Sequence, residues 1–536
     1  MKKTILFSFI FLFTSMTFAI QDLTFEQKLN KINKRAFVKE LLEKLERYDG
    51  EILESKKNRT TSWIEIKRIF NADIKNAKTN QDFGYAILKL ANYYKAFHTT
   101  IDGNKKLRPE NYAKWRYPAI KFVPRTVCNE NKKVEYFVNW ISSNFHTNEK
   151  IKPQLNDILL GIDGQSIEYW QDISFLYSAY AFKYHSDLDF FDNFIKGKVF
   201  SRHFSANGFK AKFKRADIEY ETWIPFSRQY HDIEINLPKT FKNKYCSSET
   251  ARYSDFKLKY SGQSTCIYEK IDNPKIALLR ISTFLHLENS SGNKVSDIDE
   301  VEHLRDFWIS QSNSWSKLII DVSDNGGGNE FVELFKILLT TDFQDQYYTL
   351  KKDHDLEALF YGKLPYLQKY LSSPSYLNLP YGKFIMPVPQ FPVKGSKDPL
   401  NERHKPFEHA FKGKIKLIIN HNCISSCSGF AWVLKKYLLE DQLEIIGIED
   451  AADTTYLRGF LSATFSSNKN AYTIQLKDQP TETNDLIFDW YIALSQTSDE
   501  KGNFQSFIPT PVDVYVPYMG NYKSWLSKSL DVALSN

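Results

Sequence analysis

Two short segments of this 536-residue chain carry residue types and spacings that suit chemistry. The first is Asp321-Val322-Ser323-Asp324-Asn325-Gly326-Gly327-Gly328-Asn329, directly after the apolar run Leu318-Ile319-Ile320. Consecutive glycines at a strand end turn sharply and let backbone amides approach a ligand with no Cβ in the way. Such a loop suits an anion, either a phosphate or a reaction oxyanion. A phosphate loop would carry the Walker lysine and hydroxyl at set spacing, and neither is present. The second segment is Asn420-His421-Asn422-Cys423-Ile424-Ser425-Ser426-Cys427-Ser428-Gly429-Phe430-Ala431, again after an apolar strand and ahead of a helical pattern. A serine on such a turn exposes its hydroxyl near helix N-terminal amides that stabilise negative charge. Taken singly, each segment has a plain reading as well: a flexible glycine loop, and an ordinary serine N-cap.

Together the two segments resemble the C-terminal-processing (tail-specific and tricorn-core-like) serine peptidase family. Asp321 to Gly328 is similar to that family's strand ending in Asp-Leu-Arg-x-Asn-x-Gly-Gly, and Ser425 to Ala431 is similar to its nucleophile turn. Pro511-Val512-Asp513-Val514 looks like the strand that closes the family's core. The resemblance implies that Ser425 is the nucleophile and that the amides of Gly327 and Ser426 form the oxyanion hole. The tail-specific branch takes its base from a lysine soon after the nucleophile; Asp453 stands at about that place here. The tricorn-like branch takes a histidine from an Asp-Gly-His-Thr segment, which Ala96-Phe97-His98-Thr99-Thr100 resembles, with Phe97 in place of the glycine and no preceding acid. His98 is then the implied general base. For the third residue, which orients the imidazole, Gln505 falls nearest, with Glu500, Glu482 and Asp485 as further candidates. The implied activity is endoproteolysis of a polypeptide substrate through an acyl-enzyme, with no cofactor and no metal. The rivals are a peptide-binding protein of the same fold that has lost turnover, and a serine esterase.

The elements that must position these residues read as an α/β fold, multi-domain and α+β overall. Residues 20–112 carry apolar positions at helical spacing, as in Ala36-Phe37-Val38-Lys39-Glu40-Leu41-Leu42. Residues 113–235 change to short β-like runs, and Leu155 to Ile167 resembles the Ile-Asp-Gly turn of PDZ domains, implying a PDZ-like module that would take up an extended peptide by strand addition. Residues 236–275 read as a linker or hairpin. From 276 to 536, buried-strand candidates at Ile276–Ile281, Leu318–Val322, Ile415–Asn420 and Leu443–Gly447 alternate with helical patterns, which implies a largely parallel core. The resemblance makes that core ClpP/crotonase-like. The aromatic, proline-rich stretch 342–408 reads as a long loop or lid.

Composition sets the remaining bounds. Lys2 and Lys3, the apolar run Ile5 to Phe13 and the small residues ending at Ala19 read as a signal peptide over residues 1–19, so export to the periplasm or medium is expected. No later stretch has membrane-spanning length. The formal charge of +7 falls to +5 without Lys2 and Lys3 and is spread along the chain, which argues against a nucleic-acid partner. Of the five cysteines, Cys423 with Cys427 and Cys246 with Cys266 are the candidate disulfides, leaving Cys128 over. Zinc is disfavoured because no histidines stand at finger-like spacing around either pair.

Overall fold

The structure, a computed structural model, describes residues 24–535 except 51–61, 94, 96–100, 104–116, 129, 144, 148, 192–202, 205–206, 228–245, 247–251, 263, 285–296, 312–313, 329–331, 362–364, 394, 399–400, 455–456 and 467–470. The expected signal segment and His98 both lie outside the described residues.

Four helices open the chain: α1 (Phe25–Lys31), α2 (Lys34–Tyr48), α3 (Trp63–Asn76) and α4 (Asn80–Tyr93). Thr24 and Gln27 close a reciprocal capping box on α1, and the side chains of Asn33 and Ser62 cap α2 and α3. On α2, Phe37, Val38, Leu41, Leu42, Leu45 and Tyr48 recur at helical spacing and are buried, so the stripe dictates which face packs. A short strand β1 (Ile101–Gly103) follows.

The module comprises β2 (Tyr117–Pro118), β3 (Ile120–Cys128), β4 (Lys133–Ile141), β5 (Ile158–Ile162), β6 (Gln165–Ser166), α5 (Ile167–Leu176), α6 (Lys183–Leu188), β7 (Gly208–Arg215) and β8 (Ile218–Ser227). Its antiparallel sheet runs β2-β8-β7-β5-β4-β3, with β6 paired to β5. Asp163 and Gly164 both take positive φ, 47° and 77°, between β5 and β6, which is what a two-residue hairpin turn matched to strand twist requires.

The core begins earlier than residue 276. The strands β9 (Phe256–Ser261) and β10 (Thr265–Lys270) form a hairpin that extends the central sheet through β11 (Ile276–Ile281). Then come α7 (Asp297–Gln311), β12 (Lys317–Asp321), α8 (Val332–Leu338), β13 (Tyr347–Leu350), β14 (Val388–Pro389), β15 (Lys414–Ile419), α9 (Ser426–Tyr437), β16 (Leu443–Gly447), β17 (Arg458–Phe465), β18 (Tyr472–Lys477), β19 (Leu486–Ala493), β20 (Ser495–Ser498), β21 (Val514–Tyr515) and α10 (Tyr522–Ser535). The central sheet runs β21-β16-β15-β12-β11-β10-β9, parallel from β21 to β11. All of β11 and all but the first residue of both β12 and β15 are buried or nearly so, as expected of strands covered on both faces.

Residues 342–408 are not a loop. They contribute β13, β14 and short helices at His354–Leu359, Pro365–Leu371 and Pro374–Leu377. Tyr348, Leu350, Leu356, Tyr361 and Tyr376 pack into one core with Phe37, Leu41 and Phe83 of the N-terminal helices and Leu461, Phe488 and Trp490 of β17 and β19. The N-terminal helices, the aromatic stretch and the β1-β19-β17-β18 sheet therefore form one layer, beside the module and the central sheet. Proline and tyrosine carry no helical or strand periodicity, so their contribution is invisible until aromatic faces meet across the chain. Among the described residues, no helix is long and apolar enough to cross a membrane.

Both cysteine pairs are joined as disulfides. Cys246–Cys266 ties the stretch ahead of β9 to β10, with Cα atoms 5.7 Å apart. Loop-closure entropy for its 20-residue separation amounts to about 3 kcal/mol of stability. A Cys246→Ser/Cys266→Ser double variant is expected to lose that amount in urea unfolding without reductant. An unchanged midpoint would mean that other contacts already order the loop.

Candidate active site

The site forms where β12 and β15 end. They are parallel neighbours with Asp321 beside Ile418, so the loops following them leave the sheet side by side. Asp321, fully buried, anchors the first loop. Its carboxylate accepts from Tyr253 OH at 2.6 Å, from the Ser323 amide at 2.9 Å and from Ser323 Oγ at 2.5 Å. Arg280 on β11, 2% exposed, gives Nη1 to the Ser323 carbonyl at 2.7 Å and lies 3.4 Å from Asp321 Oδ1. A buried charge pair holds its geometry only when its remaining donors and acceptors are met, as they are here.

Past Ser323 the loop is shaped by its own side chains. Asp324 adopts φ 56°, and its amide and carboxylate are both held by Asn420, at 2.9 and 2.8 Å. Asn325 turns its Oδ1 back to accept the Gly327 N–H at 2.9 Å. The Gly327 carbonyl accepts from the Phe284 amide at 3.0 Å and Thr283 Oγ1 at 3.2 Å. Gly327 has φ 88°, and a Cβ built there would sit 2.5 Å from Ser425 Cβ and 2.6 Å from the Ile424 carbonyl. Glycine is required by both the dihedral and the contact.

Ser425 stands at the N-terminus of α9 with φ 61° and ψ −124°, an energetically costly conformation for a residue with a side chain. Four contacts over-determine it. Its N–H donates to the Asp453 carbonyl at 2.6 Å, Ile424 N–H to Asn325 O at 3.1 Å, and Ala451 N–H to Cys423 O at 2.9 Å. The Cys423–Cys427 disulfide closes the turn around Ser425, with Cα atoms 5.1 Å apart. Ser426 Oγ donates to the Gly328 carbonyl at 2.5 Å, joining the two loops directly. Among the described residues, the N–H groups of Gly328 and Ser426 have no hydrogen-bond partner, whereas that of Gly327 is committed to Asn325. A half-buried serine hydroxyl beside unengaged amides and a helix N-terminus can attack an acyl carbon, and the amides can stabilise the resulting oxyanion.

The other sequence-derived candidates are distributed differently. Gln505 lies beside β20, its amide donating to Thr497 O at 2.9 Å and its side chain to Asn503 O at 3.4 Å. Glu500 pairs with Arg403 at 3.4 Å and approaches Lys436 near the far end of α9. Asp485 pairs with Lys28 of α1 at 2.7 Å, and Glu482 is exposed. None of these three carboxylates is brought to Ser425. Asp453 is buried, and its backbone supports the Ser425 turn. Missed at the sequence level were Asn325 and Asn420. Their signal, an amide side chain flanking a glycine run or a strand end, is present but common. Asp450 supports the same turn, accepting from the Ala452 amide at 2.9 Å and the Thr510 amide at 3.3 Å. Burial nonetheless pushes its carboxyl up to about 6.

Residues 275–447 match the model of peptidase family S41. A comparison with curated protein sequences finds no match. Among solved structures, mature CPAF complexed with lactacystin superposes with a TM-score of 0.60 at 13% identity, over 94% of this chain and 97% of that one. Mature CPAF alone gives 0.59 at 13% identity, over 94% and 96%. At that identity the likeness is one of fold, and it extends over nearly the whole of both chains.

Gly327→Ala is expected to leave the fold intact but slow reaction of Ser425 with a fluorophosphonate by about 100-fold or more, the scale of one misplaced oxyanion donor. Equal labelling of variant and wild type would show that the close approach of the two loops is dispensable. Asp450 gives a pH test. Its folded value, about 6, lies above the ordinary 3.8, so its contribution to stability is full below about 3.8 and is lost as pH rises through about 6. Between pH 7 and 4 this group stabilises the wild type on acidification by about 2 kcal/mol. Asp450→Asn should lack that increment when urea unfolding is compared at the two pH values.

Proposed function

We propose, from the premise that this chain belongs to peptidase family S41 and is a serine-type peptidase, that it is an exported endopeptidase working through an acyl-enzyme on Ser425. The observation that carries this reading is the strained, cross-braced Ser425 at the head of α9, pressed against a glycine loop whose neighbouring amides are unengaged. In the reaction, Ser425 Oγ attacks the scissile carbonyl carbon while His98 takes its proton. His98 then protonates the leaving amine as the C–N bond breaks, and water, activated by His98, hydrolyses the ester. Ser426 N–H would stabilise the oxyanion with a glycine amide. Because Gly327 gives its N–H to Asn325, either that bond opens on substrate binding or Gly328 supplies the second donor.

Gln505 would orient His98, and as a neutral amide would stabilise the imidazolium less than a carboxylate. A polypeptide is the substrate class. The module would present strand β3, an outer strand of its sheet, to an extended peptide. Arg125 and Thr126 of β3 are already bridged to Met519 and Tyr518, so strand addition there would use the half nearer Ile120.

The test is fluorophosphonate labelling of the mature protein beside Ser425→Ala and His98→Ala. Labelling of the wild type, lost in both variants, is the expected result. Loss with Ser425→Ala alone would require a different base. A folded wild type that never labels would overturn the reading in favour of a peptide-binding protein. Labelling with ester turnover but no peptide turnover would make it an esterase.

A further inference from the structure

The module and the two site loops meet in a buried polar joint that acyl-transfer chemistry does not itself use. Three residues lead into the nucleophile turn: Asn420, His421 and Asn422. Asn420 and Asn422 both donate to Asp324 Oδ1, at 2.8 and 3.1 Å, so they fasten the glycine loop to the nucleophile turn. The same residues are gripped from the other side by the stretch connecting α5 to the end of α6. Tyr180 OH reaches Asn422 Oδ1 at 2.8 Å and also contacts Asp189. Asp189 Oδ1 lies 3.3 Å from His421 Nε2. Tyr180 and His421 are each 3% exposed, so these bonds are made away from bulk water.

This stretch is itself tied down and cannot be a passive flap. Tyr136 OH of β4 donates to the Asp187 carbonyl at 2.7 Å, fixing α6 to the module sheet. It also holds Lys95, just beyond α4. Lys95 Nζ donates to the carbonyls of Ser178, at 3.1 Å, and Phe175, and lies 3.7 Å from the centroid of the Phe175 ring.

We infer that Asp189 and Tyr180 are positioning residues for the nucleophile turn, supplied by the module. Neither residue touches substrate; each acts through Asn422, His421 and Asp324. The inference rests on Ser425 being the nucleophile. It predicts that the module sets turnover as well as docking.

Asp189→Ala and Tyr180→Phe should each lower the Ser425 labelling rate and kcat by about 10- to 100-fold, the scale of one buried, charge-assisted hydrogen bond, with KM for a peptide changed less than about threefold. Asp189→Asn, which keeps the acceptor, should recover most of the loss. In a Ser425→Ala background, Asp189→Ala should speed amide hydrogen exchange across residues 420–427, a readout that needs no catalysis. Tyr180→Phe removes one hydroxyl, so it serves where Asp189→Ala fails to fold. Unchanged labelling and exchange would overturn the inference, as would a raised KM with kcat intact, which would assign Asp189 to docking. If the wild type itself does not label, the nucleophile assignment fails, and hydrogen exchange alone decides whether the joint orders the turn.

Discussion

Parallel pairing of β12 with β15 is the constraint on which the site depends. Two loops 95 residues apart or more in sequence can touch only because their strands end at the same height, Asp321 beside Ile418. Ligand sites in open α/β sheets gather at the carboxyl ends of strands for this reason. Here both loops must also turn tightly on leaving the sheet. The first does so through Gly326–Gly328, and the second through the positive φ of Ser425. Neither conformation is favourable alone, and each is the other's wall: a side chain at Gly327 would collide with Ser425.

The strain is held by contacts from all around the site. Asp321 and Arg280 fix the base of the glycine loop, Asn420 and Asp324 bind the loops together, and the backbone from Asp450 to Asp453 braces the turn from a third direction. The disulfide within the turn closes so short a loop that its entropic contribution is small, about 2 kcal/mol. It also acts locally, covalently joining the residues on either side of Ser425. Strain persists at a site only when its surroundings over-determine it, and here four independent covalent or hydrogen-bonded links converge on five residues.

What the sequence revealed follows from the range of each interaction. Strands buried on both faces announce themselves as unbroken apolar runs, so β11, β12, β15 and β16 were legible, as was the serine at a strand–helix junction. The Asp163-Gly164 turn was legible because a two-residue hairpin admits few residue types. Cysteine pairing was legible from spacing and the expected export. The layer joining Phe37, Tyr348 and Trp490 was not, because nothing local marks residues that meet across more than 300 positions. For the same reason Tyr180 and Asp189 carried no signal: each is an ordinary polar residue until Asn422 and His421 arrive beside it. The engagement of the Gly327 amide by Asn325 is local, yet it depends on one side-chain rotamer that a sequence pattern does not specify.

The site proposed for Ser425, His98 and Gln505 is distributed over separate layers, with a consequence for its energetics. Ser425 follows β15 of the central sheet, whereas α4 packs in the N-terminal layer and β1, the next described strand, pairs with β19. Gln505 belongs to a third stretch, bonded to β20. No single core therefore fixes the relative position of the proposed nucleophile and base. Their alignment depends on joints between layers, which open at lower free energy than the cores themselves. Polar joints suit this role, since hydrogen bonds specify one geometry where apolar contact tolerates many. The contacts of Lys95, Tyr180 and Asp189 are the joints available at that boundary, and a protein built this way can lose catalysis well before it unfolds.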